Sequence, residues 1–304
     1  MRITPNITAN NSLYNIQSSR ALLDSIQEKI SSGKNFNRVS DDPVSANLLM
    51  GINDRYSGNE QFKSNISKAN IWLNMTSTAL DGMSKTMADI KTLVATVTNG
   101  SNNQNTLNDT AASLTLMRQQ LADMGNTQLD DQYLFAGTAT NTKPFDSDVV
   151  IPPAVASPDL YNGNDNVNIV QIDVSATENL NITGSSVLGD NSGGNVNILW
   201  ELDKLIAAIK VNDIPGIQAG ANQVELAADQ IQRAQVTAAT RISRLEFMDK
   251  MLDNTKNTLQ TVYSNVQNAD YAKLAVELTQ QKTAFEATLS STAKITQMSL
   301  LDYL

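Results

Sequence analysis

The chain has 304 residues, a formal net charge of -9, and neither cysteine nor histidine. The absence of cysteine excludes disulfides and thiolate metal sites, and the absence of histidine removes the commonest general base and metal ligand. Nucleic acids and anionic membranes attract an excess of lysine and arginine, so the negative charge argues against both as partners. Catalysis is left with carboxylates, lysine and tyrosine, and we expect a non-enzymatic protein that uses neither cofactor nor metal.

The first predicted element is an amphipathic helix over residues 12–32, whose apolar residues recur at spacings of three, four and seven. Gly33 follows it, at the place where a left-handed C-terminal cap is favoured. Residues 1–13 are polar and lack an apolar h-region, which predicts that the protein has no cleaved secretory signal. The apolar stripe of this helix consists of Leu13, Ile16, Leu23, Ile26 and Ile30.

Residues 34–42 are predicted to form a connector that ends in a helix start. Asp42 stands where an N-cap is expected and Pro43 where the first helical residue is expected. Asp41 and Asp42 are also a candidate pair of carboxylates for acid–base chemistry, but capping accounts for them. We therefore predict a cap here, and a long second helix that begins at Pro43.

From Phe62 to Val97 the second helix alternates apolar steps of four and three, which is typical of coiled-coil packing. Phe62, Met83 and Met87 are candidates for a ligand pocket, but their heptad positions favour a core role. The polar cluster 99–105 predicts a turn, after which residues 107–130 return as an antiparallel helix.

Between residues 133 and 197 the pattern changes from helix to short strands. Prolines interrupt any helix, and alternation at Val167, Ile169 and 172–174 predicts strands. The polar runs 164–166 and 189–191 are candidates for calcium-binding turns, but the ligand spacing of an EF-hand is missing, which favours plain turns. We predict a compact β insertion.

Helix returns at residues 196–210, breaks at 213–216 and then runs nearly to the end. Arg241 and Arg244 on this helix are expected to pair either with Glu246 or Asp249 or with acidic residues of a neighbouring subunit. The heptad phase is lost across residues 268–271, and such an insertion locally unwinds a coiled coil. This predicts a joint, in which Asp270 and Tyr271 serve either as a contact between subunits or as a local cap. The apolar residues that follow are Leu274, Leu278, Phe285, Leu289, Leu300 and Leu301.

The predicted fold is mainly α with a β insertion. It is an elongated, antiparallel, coiled-coil-like helix bundle with paired N- and C-terminal helices and a small β domain at the far end. Two helices cannot bury their apolar stripes completely by themselves, so we expect these ends to pack against copies of the same protein. The alternative is a self-contained two-helix hairpin, which would leave Leu300, Leu301 and Leu304 uncovered. The predicted domains are 1–42 with 268–304 (terminal core), 43–140 with 196–267 (central bundle) and 141–195 (β insertion).

Several motifs resemble bacterial flagellins and their relatives. Residues 31–34, Asn37 and 40–43 are similar to the N-terminal signature of this family, and residues 269–272 and 280–304 are similar to its C-terminal half. Residues 145–195 carry no such resemblance. Pro43, the segment 133–137 and the ending 299–304 favour the family member that joins hook to filament. The alternative is a filament flagellin subunit.

The resemblance implies a structural component of the flagellum, exported unfolded by the flagellar type III apparatus and located outside the cell. It also implies an adaptor layer joining hook to filament. The implied partners are copies of the protein itself, another hook-associated protein on the hook side, filament flagellin and a cytosolic export chaperone. Two other classes compete with this interpretation: an enzyme carried in the insertion, opposed by the absence of histidine, and a tip or tether protein of a secretion system.

Overall fold

The computed structural model describes residues 5–98, 103–146, 160–189 and 195–301, and within these ranges the protein is mainly helical. Two small antiparallel sheets pair β1 (Gln128–Leu129) with β2 (Gln132–Tyr133) and β3 (Ile169–Gln171) with β4 (Thr177–Asn179). The predicted class, mainly α with a β insertion, is confirmed. The helices are α1 (Pro5–Ser32), α2 (Pro43–Val97), α3 (Gln104–Gly125), α4 (Gly184–Val187), α5 (Ile198–Lys210), α6 (Ile214–Gln267) and α7 (Tyr271–Leu301).

Proline marks the start of three helices. α1 begins at Pro5, well before the predicted start at residue 12, α2 begins at Pro43, and α6 carries Pro215 in its first turn. Proline suits the first turn because the amide it lacks would have no partner there. The start of α1 was misplaced because Ile7 is the one large apolar side chain of residues 5–11, so that apolar periodicity gave no signal for a helix.

The chain divides into two compact units. The central unit comprises Asn59–Asp253, and the terminal unit comprises Met1–Gly58 together with Asn254–Leu304. The three-part division predicted from the sequence stays a prediction.

The core of the central unit is built from the apolar faces of α2, α3, α5 and α6. Met83 and Met87 are completely enclosed in it, and Phe62 is partly buried against a second, smaller cluster. The core interpretation of these three residues is confirmed, because heptad positions turn the same helix face inwards at every second turn. Among the fully buried side chains are Leu73, Leu80, Ile90, Leu107, Leu114 and Leu121.

Two polar contacts cross this core. Arg118 on α3 and Asp203 on α5 form an ion pair with 2.9 Å between Nε and Oδ1, and both side chains are almost wholly enclosed. Gln230 on α6 accepts from the backbone amide of Val196 at 2.8 Å and donates to the carbonyl of Val187 at 3.0 Å. Side chains that remain polar inside a core must be paired, since an unpaired one is strongly destabilising.

Several turns around the β insertion depend on residues with positive φ angles. Asp130 and Asp131, both with positive φ, connect β1 to β2, as a tight hairpin requires. Gly137 has φ +70°, and a Cβ there would lie 1.9 Å from the carbonyl oxygen of Asn164. The hydroxyl of Tyr161 donates to the carbonyls of Phe135 and Asn164 at 2.9 and 2.8 Å. These bonds hold the segment 133–137 against the rest of the insertion.

The predicted strand at residues 172–174 is wrong. Strand β3 ends at Gln171, and these residues form the turn that leads to β4, with Ile172 buried in the smaller cluster. The alternation of apolar and polar residues marked the right segment but could not distinguish a strand from a turn that contains an apolar residue.

The polar run 164–166 forms a turn. In it, the side-chain oxygen of Asn164 accepts hydrogen bonds from the backbone amides of Thr138 and Asn166, as in a plain turn. Residues 99–102 and 190–194 lie outside the described residues.

Pairing of Arg241 and Arg244 within their own helix is also wrong. Arg244 forms an ion pair with Glu178 of β4, with 2.9 Å between Nη1 and Oε2. Arg241 donates a hydrogen bond from Nη1 to the carbonyl of Asn181 at 2.7 Å. Burial lowers the pKa of Arg241. Asp249, one of the two partners expected within the helix, instead has its Oδ1 atom 3.6 Å from Nζ of Lys63 on α2. Both arginines thus fasten the β3–β4 hairpin to α6.

Candidate assembly interface

Helices α1 and α7 lie against each other as an antiparallel pair. Lys34 forms an antiparallel bridge with Asn268, and the side-chain amide of Gln281 donates to the carbonyl of Ser19 at 3.3 Å. Because both helices rise equally per residue, each step along α1 is matched by an equal step back along α7. The register therefore places Ile26 at the level of Leu274.

The apolar stripe of this pair is covered over only part of its length. Ile26 and Leu274 are buried, whereas Leu13 is 55% exposed and Leu289 is 43% exposed. Leu300 and Leu301 fall in the last turn of α7, and their side chains lie outside the described residues. The other predicted interface residues are partly buried: Ile16, Leu23, Ile30, Leu278 and Phe285.

Further apolar side chains lie exposed on the same two helices, outside the predicted stripe. Tyr14 is 71% exposed, and Ile7, Leu22 and Val276 are each more than half exposed. Sequence reasoning missed them because they do not follow the helical repeat. Full burial of a large apolar side chain is worth about 1.5–3 kcal/mol, so this surface holds stabilisation that a packing partner can supply.

Gly33 ends α1 and allows the backbone to meet the start of α7. Its φ is +69°, its amide donates to the carbonyl of Lys29 at 2.9 Å, and its carbonyl accepts from Ala269 at 2.9 Å. A Cβ at this position would lie 2.7 Å from the hydroxyl of Tyr271. The backbone conformation and the close approach thus both favour glycine.

Asn35 is a polar residue of this region that sequence reasoning also missed. Its backbone amide donates to the carbonyl of Gln267 at 2.8 Å. Its side-chain amide donates to the carbonyls of Val266 and Asn268 at 3.1 and 2.9 Å. These carbonyls stand at the end of α6, where no helical amide follows to satisfy them. Nothing in the local sequence pointed to this role, because the partner lies more than 200 residues away.

The two carboxylates before α2 both accept hydrogen bonds from the backbone. Asp42 caps α2 by accepting from the amide of Ser45 at 3.0 Å, and hydrogen bonds from Ser45 lower the pKa of Asp42. Asp41 accepts from the amide of Arg38 at 3.0 Å, which closes the turn of the connector. Pro43 then occupies the first helical position. Both carboxylates thus orient the backbone in the turn that leads into α2.

The predicted joint is a break of three residues between α6 and α7. Asp270 caps α7, accepting from the amides of Ala272 and Lys273 at 2.9 and 3.2 Å. Tyr271 begins α7 and is 58% exposed, with its hydroxyl close to Gly33.

The described residues offer neither a metal centre nor a membrane span. Across 5–98, 103–146, 160–189 and 195–301, no three acidic, histidine or cysteine side chains meet in a group that could hold a metal ion. Among the helices of the same ranges, none combines the length and apolar character needed to cross a bilayer.

Comparison with known proteins agrees with this architecture. Residues 3–140 match the bacterial flagellin N-terminal helical region. The flagellar hook-associated protein 3 of Salmonella typhimurium is 22% identical over 99% of this chain and 98% of its own length, and that of Escherichia coli is 20% identical over the same shares. The crystal structure of the flagellar junction protein FlgL from Legionella pneumophila is 14% identical and has a TM-score of 0.59, and the match covers 72% of this chain and 99% of that one.

The match to the N-terminal helical region spans α1, the connector, α2 and α3, and it ends just beyond the glycine turn at Gly137. The two curated relatives extend the similarity through the insertion to α7. The chain is therefore similar to the bacterial flagellins over its N-terminal part and to flagellar hook-associated protein 3 over nearly its whole length.

Proposed function

We propose that this protein is a structural component of the flagellum, an adaptor layer that joins hook to filament. The hook-associated protein 3 relatives match its whole length, and the similar Legionella structure is a flagellar junction protein. One observation carries the mechanism: α1 and α7 pair with each other, yet residues such as Leu13 and Leu289 stay exposed in the single chain. Neighbouring copies cover this surface when the layer assembles.

In this proposal the apolar residues of α1 and α7 form the interface between copies, including Leu300 and Leu301. Gly33, Asn35 and Asp270 hold the two helices in register so that the stripe faces a neighbour. The terminal helices become fully protected from hydrogen exchange only in the assembly. Strong protection of α1 and α7 in dilute, monomeric protein would contradict this.

The layer has two further faces. We propose that another hook-associated protein contacts it on the hook side, that filament flagellin contacts it on the other, and that a cytosolic chaperone binds the protein before export. The protein is exported and acts outside the cell by binding alone, not by catalysis. Pull-down of each candidate partner with purified protein tests these contacts separately.

A filament flagellin would use the same terminal helices but polymerise without limit. Negative-stain microscopy of purified protein under filament-forming conditions separates the two functions. We expect no long filaments, and their appearance would establish the filament alternative.

A pair of leucine substitutions tests the interface itself. Leu13→Ser removes an exposed side chain from the stripe, and Leu116→Ser removes one that is 69% exposed on α3 of the central unit. In a strain that lacks its own junction protein, we expect Leu13→Ser to lose filament attachment and Leu116→Ser to retain it. Equal attachment by the two variants would refute the terminal interface.

A further inference from the structure

The turn after Tyr161 contains an asparagine followed directly by glycine, the one such pair within the described residues. The pair is held on both sides. The amide of Asn162 donates to the carbonyl of Pro144 at 2.8 Å, and the amide of Asn164 donates to the carbonyl of Ala136 at 3.2 Å. The side chain of Asn162 is exposed to solvent.

The amide of Gly163 lies between these two anchored amides and donates to no acceptor in the described part of the protein. Its nitrogen follows Asn162 directly in the backbone and so stands near Cγ of that residue, and glycine has no Cβ to obstruct an approach. The exposed side chain of Asn162 thus stands next to a backbone nitrogen that donates to no acceptor among the described residues.

We propose that Asn162 is a site of spontaneous deamidation. The nitrogen of Gly163 attacks Cγ of Asn162, a new N–Cγ bond forms, and the bond between Cγ and Nδ2 of Asn162 breaks. Ammonia leaves with the proton given up by the Gly163 amide, and a five-membered imide remains. Water then opens the imide at one of its two carbonyls, which yields either aspartate or isoaspartate. The sum of the reaction is an amide and water converted to a carboxylate and ammonium, with no oxidant or cofactor.

The surroundings make this change structurally significant. The side-chain amide nitrogen Nδ2 of Asn162 lies 3.4 Å from the carboxylate oxygen Oδ2 of Asp146. A carboxylate in its place removes the donor and sets two like charges side by side. Isoaspartate also lengthens the backbone between Tyr161 and Asn164, the two residues that fasten Phe135 and Gly137. Deamidation therefore loosens the turn at Gly137 as the protein ages.

The test is incubation of the folded protein at mildly alkaline pH, followed by proteolysis and tandem mass spectrometry. We expect aspartate and isoaspartate to accumulate at residue 162 at least about tenfold faster than at Asn168, which precedes the β-branched Ile169 that crowds the attack. The rate rises with pH, since attack requires loss of the amide proton. Hydrogen exchange at Phe135–Gly137 increases in step with the isoaspartate fraction.

Asn162→Gln is the matched variant, because its longer side chain would have to close a slower six-membered ring. It is preferable to a change at Gly163, where a Cβ would lie 2.5 Å from the ring of Tyr161. We expect the variant to show no product at residue 162. Conversion of Asn162 only in urea, or at the same rate as Asn168 in folded protein, would overturn the proposal.

Discussion

The central and terminal units are built from similar amphipathic helices but bury very different fractions of them. In the central unit, heptad residues such as Leu80, Met83 and Leu114 have no exposed surface. In the described part of the terminal unit, the buried apolar side chains are Ile26, Ala46, Leu49, Ile52 and Leu274. A heptad pattern therefore predicts that a face will be buried but not what will bury it. The central unit supplies its own partners, whereas the proposed function assigns the cover of the terminal unit to another copy of the protein.

The largest effect is expected where the central core is polar. Arg118→Met removes the ion-pair partner of Asp203, and breaking a buried pair costs about 3–5 kcal/mol. Replacing both residues, Arg118→Met with Asp203→Leu, should restore most of that stability. Urea unfolding followed by circular dichroism measures both variants. A double variant no more stable than the single one would show that the core cannot accept apolar residues here.

A matched pair of truncations addresses the comparison directly. Leu80→Ala is expected to destabilise the isolated monomer by about 2–5 kcal/mol, since it leaves a cavity. Leu13→Ala, at an exposed position, is expected to change the free energy of unfolding of the monomer by about 0.5 kcal/mol or less and to weaken assembly instead. Thermal unfolding of the monomer measures the change in stability, and sedimentation of the assembled protein measures the change in assembly. A large monomer effect from Leu13→Ala would mean that the terminal unit is already a complete core.

Two helical glycines give a smaller, opposite pair of effects. A Cβ added at Gly51 of the terminal unit meets no atom within 4 Å, whereas one added at Gly220 of the central unit lies 2.7 Å from a methyl of Leu205. Gly51→Ala should therefore stabilise the monomer by about 1 kcal/mol, as helix propensity predicts. Gly220→Ala should destabilise it through crowding of Leu205. Thermal unfolding tests both, and the same sign for the two variants would contradict this account.

The smallest effects are expected at the two ends of the pH range. In the central unit, Asp253 accepts a hydrogen bond from Lys63 and raises the pKa of Lys63 above its ordinary 10.5. The stabilisation of the folded protein by this contact is therefore complete below pH 10.5 and is lost as the pH rises through the raised pKa. The pKa of Asp42 in the terminal unit is lowered, so its stabilisation is present above 3.8 and is lost as pH falls through the lowered value. Lys63→Met should flatten the alkaline limb of a stability–pH curve and Asp42→Asn the acid limb.

The sequence predicted those parts of the fold that depend on short-range chemistry. Pro43 and Asp42 marked the start of α2, and the heptad phase break marked the gap between α6 and α7. The strands were only partly predictable, because Ile172 alternates like a strand residue yet lies in a turn. Asn35 and Gln230 were not predictable at all. A lone amide group has no periodicity, and both residues bind backbone atoms far away in the sequence.

By itself, the sequence determined the helical periods, their caps and the apolar stripes at both ends, because these follow from spacing and residue type within a few turns. Only the tertiary structure decided which stripes are covered. Burial depends on which helices meet, and that is set by contacts such as Arg118 with Asp203 and Asn35 with Asn268. The apolar residues left uncovered on α1 and α7 are therefore a property of the folded protein, and they carry its proposed function.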